Sequence, residues 1–256
     1  MYQIKAYIKF LSKASNQHGV HSPFVYNFVT KCLYNKTKFD AYKKLKQYKK
    51  ELLQSNTVLQ ITDLGEGSKV LDANQRNVGK MAKTSSSSKK DSELLYRLSD
   101  YFKFKTVLEL GTSLGMGTYA LSLANPTSKI ITIEGCPNTS RFAQSQLKNH
   151  HIGNVEFLIG NFSNTILTLQ NNNFDFIFFD GHHNKEATIQ YFEALLPKIH
   201  NETVFVFDDI YWSEGMTEAW EYIKNHNAVT VTVDVFLLGV VFFRKEQAKE
   251  HFKIRL

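Results

Sequence analysis

The stretch VLELGTSLGMGT, residues 107 to 118, decides how this chain is read. Val107, Leu108 and Leu110 make a short apolar run suited to a buried parallel strand. Gly111 ends that run, and a turn carrying Gly115 and Gly117 opens into the helical pattern Tyr119-Ala120-Leu121-Ser122-Leu123-Ala124. A strand, a glycine turn and a helix start let backbone approach a ligand closely, because glycine lacks Cβ and a helix start presents unpaired N–H groups. The spacing is Gly-x-x-x-Gly-x-Gly. A dinucleotide fingerprint needs Gly-x-Gly-x-x-Gly, and a P-loop ends in Gly-Lys-Ser/Thr, so neither applies.

Beyond this turn, apolar runs alternate with helical patterns. Strands are expected at 106–110, 129–134, 154–159, 174–180, 202–208, 228–234 and 239–244. Helices are expected at 117–124, 138–149, 163–170, 185–196 and 214–225. Such alternation predicts right-handed crossovers and an α/β, doubly wound, mostly parallel sheet of seven strands. Only Phe236-Leu237-Leu238-Gly239 separates the last two strands, which predicts that the final strand is antiparallel.

The carboxyl ends of these strands carry the chemistry. Glu134 closes the second, seventeen residues after Gly117, where an acid can accept hydrogen bonds from both ribose hydroxyls. Asp180 closes the fourth and Asp208-Asp209 the fifth. Three neighbouring carboxylates repel unless hydrogen-bonded, protonated or bound to a cation, so a hard-oxygen site for Mg²⁺, Ca²⁺ or Mn²⁺ on Asp180, Asp208 and Asp209 is expected. His182 and His183 follow Asp180, and a histidine can take a proton near neutral pH.

Acid-x-Gly-x-x-x-Gly-x-Gly after a first strand resembles motif I of the class I methyltransferases, whose donor is S-adenosylmethionine. The resemblance covers roughly residues 92 to 245. It implies a cofactor site built from Glu109, Gly111, Thr112, Ser113, Gly115, Gly117 and Thr118, with Glu134 on the ribose and Gly135 and Cys136 near the adenine. It also implies adenine contacts from Asn161 and Phe162, and a cofactor contact from Asp180. The strand-end acids are similar to those of the cation-dependent O-methyltransferases of the catechol and caffeoyl-CoA type, which hold a metal on an aspartate and an Asp-Asn pair. Asp209 replaces that asparagine, and His183 stands where the catechol-type enzymes carry a proton-accepting lysine. GVHSPF, the serine run and LELGTSLG together look like a bacterial branch of these enzymes. The implied function is O-methylation of a small hydroxyl-bearing acceptor, with Asp180, His182 and His183 as the catalytic candidates. N-methylation is the rival within the enzyme class, although no Asp/Asn-Pro-Pro-Tyr follows the fourth strand. A cofactor-binding protein gripping RNA or anionic lipid is the rival outside it.

The front of the chain differs in charge. Up to Lys105 there are 20 Lys/Arg against 8 Asp/Glu, and from Thr106 onward 11 against 16. This contrast suggests a basic helical extension over 1–91 and a methyltransferase domain over 92–256, and an anionic acceptor or partner for the front. Residues 2–13 place Ile4, Tyr7, Ile8 and Leu11 on one helical face with Lys5, Lys9 and Lys13 elsewhere, read as a helix packed on the protein or, alternatively, on a membrane surface or partner. Ser22-Pro23 predicts a helix start. Residues 36–54 form a lysine-rich helix with Phe39, Tyr42, Leu45 and Leu52 inward; without arginine, its lysines read as a solvated face rather than a nucleic-acid grip. KTSSSSKKD, 83–91, reads as a linker or lid loop. The start, MYQIKAYIKFLSK, has no signal-peptide core, and Cys32 and Cys136 are far apart, so the expectation is a cytoplasmic protein without disulfides, compatible with a homodimer.

Overall fold

A computed structural model describes residues 2–62, 75–84, 89–169 and 173–256. The serine run 85–88, Gly65 and Gly67 lie outside the described residues. In chain order the elements begin with α1 (Tyr2–Lys13), α2 (Pro23–Phe28) and α3 (Ala41–Gln54). Next come β1 (Val58–Gln60), β2 (Gln75–Asn77), α4 (Val78–Thr84) and α5 (Lys89–Phe102). The alternating part runs β3 (Thr106–Leu110), α6 (Met116–Ala124), β4 (Lys129–Glu134), α7 (Pro137–Asn149), β5 (Val155–Ile159) and α8 (Phe162–Thr168). It continues with β6 (Phe176–Phe179), α9 (Lys185–Leu195), β7 (Val204–Asp208), α10 (Glu214–Asn225), β8 (Val231–Asp234), β9 (Leu238–Phe242) and β10 (Glu250–Lys253).

These elements form two compact units, Lys36–Thr165 and the pair Met1–Asn35 with Ile166–Leu256. In the unit 36–165, β3, β4 and β5 lie side by side and parallel, with Val107 opposite Ile130 and Ile130 opposite Val155. Val107, Leu108 and Leu110 are buried, as a strand covered on both faces requires. The expected division at 91/92 falls inside this unit, where Phe39 and Tyr42 of the lysine-rich segment pack on Tyr96 of α5 at ring distances of 5.0 and 5.7 Å. The short antiparallel pair β1–β2 was not anticipated. It has only three residues per strand and carries no clean alternation.

In the other unit, β6 and β7 are parallel, and β9 runs antiparallel to both β7 and β8. The reversed strand is therefore where the short connection at 236–239 placed it, the strand itself starting at Leu238. The segment Glu250–Lys253 adds a strand parallel to β8 beyond the seven expected. Its composition, EHFK, hides it, because an edge strand needs little apolar content. Gly239 lies under Trp220 of α10 so closely that a Cβ there would sit 2.6 Å from the indole. Ser22 caps α2 through its Oγ, which accepts the Val25 N–H, and Pro23 opens the helix as expected. Phe24 and Phe28 both pack edge-on against Phe242 of β9.

α1 corrects the sequence reading. Its anchor is Phe10, 3% exposed, against Tyr211 and Phe236, with Tyr7 on Phe236. Ile4, Ile8 and Leu11, expected to pack inward, are exposed at 66, 63 and 37%. A pattern with apolar residues on two sides of a helix does not reveal which side docks.

Candidate active site

The glycine turn in the unit 36–165 is built by backbone conformations that few side chains accept. Gly111, Ser113 and Gly115 have φ of 105°, 47° and 77°, so the chain turns through the left-handed region three times before α6. The turn is pinned to the neighbouring strand: Gly111 N–H donates to the Ile133 carbonyl at 2.9 Å, and Gly115 N–H closes back on Thr112 at 2.8 Å. From α3, the buried Tyr48 hydroxyl donates to the Leu114 carbonyl at 2.7 Å. A Cβ on Gly115 would stand 3.3 Å from that same hydroxyl oxygen. Tyr48 was missed in the sequence because lysines flank it on a helix that reads as solvated. Its heptad-like spacing from Leu45 and Leu52 is the signal that would have found it.

Glu134 faces this turn. Its Oε2 accepts the Ser113 N–H at 2.8 Å, and its Oε1 accepts the Cys136 N–H at 2.9 Å. The two donors fix the plane of the carboxylate. Gly135 precedes Cys136, whose buried sulfur accepts the Thr62 N–H at 3.3 Å. Asn138 Nδ2 donates to the Gln60 carbonyl at 2.8 Å, so Gln60 and Thr62 lie along this edge, a neighbour no sequence pattern signalled.

Glu109 lies sealed beside the same turn. It is 1% exposed, and its Oε2 accepts from the Thr118 and Thr132 hydroxyls at 2.5 and 2.7 Å. Thr112 and Thr132 share a further contact of 2.6 Å. Thr112, Gly117 and Thr118 are likewise buried, and the Glu109, Thr112 and Thr118 side chains brace the turn from beneath. Burial pushes the Glu109 carboxyl up to about 7, against the lowering effect of the two threonine hydroxyls. Asn161 accepts the Ser163 N–H at 2.9 Å through its side chain, fastening the first turn of α8, and Phe162 begins that helix buried.

The other unit assembles the histidine cluster. β6 delivers Asp180, and β7 delivers Asp208 and Asp209. His183 Nε2 lies 4.0 Å from Asp180 Oδ1 and 3.9 Å from Asp209 Oδ2, too far for hydrogen bonds but close enough for charge to act. Burial lowers the His183 pKa below the ordinary histidine value, and the Asp209 charge works against that shift. The Trp212 ring lies 6.1 Å from the imidazole. His182 pairs its Nδ1 with the buried Tyr191 hydroxyl at 2.8 Å, and its backbone has φ of 51°. Asn184 then caps α9 by accepting the Ala187 N–H.

The expected metal set is not assembled. Among the described residues no group of three His, Cys, Asp or Glu side chains is placed to hold a metal ion. Asp180 and Asp209 instead approach one imidazole, and Asp208 is the last residue of β7, paired with Leu238 of β9.

Residues 108–210 match the family profile of a methyltransferase domain. The chain carries a methyltransferase domain. Solved structures of methyltransferases share its fold. The S-adenosylhomocysteine-bound methyltransferase PaMTH1 of Podospora anserina superposes with a TM-score of 0.61 at 16% identity, over 88% of this chain and 97% of that one. The O-methyltransferase TomG of Streptomyces achromogenes, in complex with S-adenosylmethionine, gives 0.57 at 19% identity, over 81% and 91%. An O-methyltransferase of Bacillus cereus with S-adenosylhomocysteine gives 0.57 at 17% identity, over 81% and 92%. No curated protein matches this methyltransferase in sequence. The mostly parallel strands with one reversed strand are the class I methyltransferase fold, the class whose donor is S-adenosylmethionine.

Proposed function

We propose that this methyltransferase transfers the methyl group of S-adenosylmethionine to a hydroxyl oxygen of a small acceptor. The observation that carries the reading is Glu134, an acid at the end of β4 held in one plane by backbone donors from the glycine turn and from Cys136. A carboxylate has about four acceptor positions, and an acid at the end of the second parallel strand suits a ribose diol. The turn at Gly111, Ser113 and Gly115 would bring backbone close to the rest of the cofactor, with Gly135 and Cys136 beside the adenine and Asn161 and Phe162 next to them.

The bound cofactor supplies an electrophilic methyl group with a neutral thioether as leaving group. On the acceptor side, the oxygen forms the new O–C bond as the S–C bond breaks, and its proton passes to His183. Two carboxylates facing Nε2 favour the tautomer protonated there, which leaves Nδ1 as the accepting atom. The same charges stabilise the imidazolium once formed. The Mg²⁺ considered with Asp180, Asp208 and Asp209 finds no ligand cluster among the described residues, and the reading runs through the histidine instead.

Calorimetric titration with S-adenosylhomocysteine, followed by mass-spectrometric detection of methylated phenolic and sugar hydroxyls, tests this. Binding that Glu134→Ala weakens, together with a methylated product that His183→Ala suppresses, supports it. Folded protein that binds no S-adenosylhomocysteine overturns it.

A further inference from the structure

α1 presents two adjoining stripes that the fold leaves uncovered. Phe10 and Tyr7 dock the helix on Tyr211 and Phe236, Tyr2 donates its hydroxyl to Thr217 at 2.7 Å, and Gln3 reaches the Trp212 carbonyl at 3.5 Å. With these residues turned inward, a helical period of about 3.6 residues turns Ile4, Ile8 and Leu11 outward together. Lys5, Lys9 and Lys13 form the next row, all exposed, and the helix contains no acidic residue. Beyond its last turn Ser15 pairs with the chain at Lys253 and Arg255, and the exposed Arg255 extends the positive charge. Exposed isoleucines and leucine in a continuous row are not a default of a folded surface.

We propose that this face of α1 docks on an anionic lipid surface, with Ile4, Ile8 and Leu11 at the acyl boundary and Lys5, Lys9 and Lys13 at the phosphates. The charge decides between occupants. A second copy meeting the same face two-fold would set lysine rows against each other, whereas anionic headgroups complement them. An RNA would satisfy the lysines but leave the branched apolar chains against phosphate, and the helix has no arginine for that role. The apolar and cationic rows lie side by side, the arrangement of an interfacial helix lying in the membrane plane.

Vesicle flotation of the full chain tests this, using phosphatidylcholine vesicles and vesicles in which part of that lipid is replaced by phosphatidylglycerol. The expected result is flotation with the anionic vesicles only, weakened by salt. Lys5→Glu/Lys9→Glu should reduce it tenfold or more, and Ile4→Ser/Ile8→Ser should abolish the part that survives high salt. Both variants change exposed side chains, so their thermal unfolding should match the parent, which separates lost binding from lost fold. Absence of flotation with anionic vesicles overturns the proposal. So does a concentration-dependent dimer in sedimentation that Ile8→Asp dissolves, or salt-sensitive RNA binding that Ile4→Ser/Ile8→Ser leaves unchanged.

Discussion

Ser113 and Glu134 are joined by a hydrogen bond of 2.8 Å from the backbone N–H of the first to Oε2 of the second. Ser113 can aim that N–H only because its backbone sits at φ of 47°, between two glycines that also have positive φ. The turn and the strand-end acid are thus one construction, and disturbing either alters the other.

Glu134→Gln is therefore expected to weaken S-adenosylhomocysteine binding by at least about tenfold, since hydrogen bonds to a charged acceptor contribute about 1.5–3 kcal/mol. Calorimetry reads the affinity. Its amide also places a donor against the Ser113 or Cys136 N–H, so a fall in melting temperature should accompany the loss.

Glu109 makes stability depend on pH. Its folded pKa of about 7 lies above the ordinary glutamic acid value, so folding favours the protonated form. That contribution is complete below the unfolded pKa and is lost as pH rises through about 7. Glu109→Gln removes the dependence. The variant's stability relative to the parent should climb between about pH 4.5 and 7 and level off above, by an amount on the order of 3 kcal/mol. Urea unfolding of both proteins across that range measures it.

If His183 receives the acceptor proton, its lowered pKa keeps it neutral below the pH at which an ordinary histidine charges. The acid limb of kcat/KM should then lie below about 6.5. Asp209→Asn removes the charge that raises this pKa, so the limb should move to still lower pH while kcat falls. His183→Ala should lower kcat by roughly 10²–10⁴ with S-adenosylhomocysteine affinity unchanged. An unaltered pH profile in Asp209→Asn would remove His183 from that role.

Gly239→Ala should destabilise by about 1–3 kcal/mol, because its Cβ would press on the Trp220 ring at 2.6 Å. Combining it with Trp220→Leu should cost less than the sum of the separate changes, and chemical denaturation of the four proteins closes the cycle.

Much of the fold was legible because parallel strands announce themselves as apolar runs. Val107–Leu110, Phe176–Phe179 and Val204–Phe207 all stand where periodicity put them. The short connection read at 236–239 likewise forecast the reversal of β9. β10 and the β1–β2 pair were illegible, since short edge strands carry no hydrophobic signature. In the candidate site, residue types showed where carboxylates would lie but not what they would face. Glu109 and Glu134 are both acids near glycines, yet one is sealed under two threonines and the other meets backbone donors at the strand end. Asp180 and Asp209 looked like cation ligands, and it is the course of the loop through His182 and His183 that sets an imidazole beside them.

The Tyr48 hydroxyl bond to Leu114 has a practical consequence. A fragment trimmed to start near residue 92 would look, by composition, like the enzyme without its basic appendage. It would in fact strip α3 away, orphan a buried carbonyl in the glycine turn and bare the Tyr119 ring that packs at a tilt on Tyr48. Expression designs should keep the lysine-rich helix as an integral wall of the unit that carries the glycine turn.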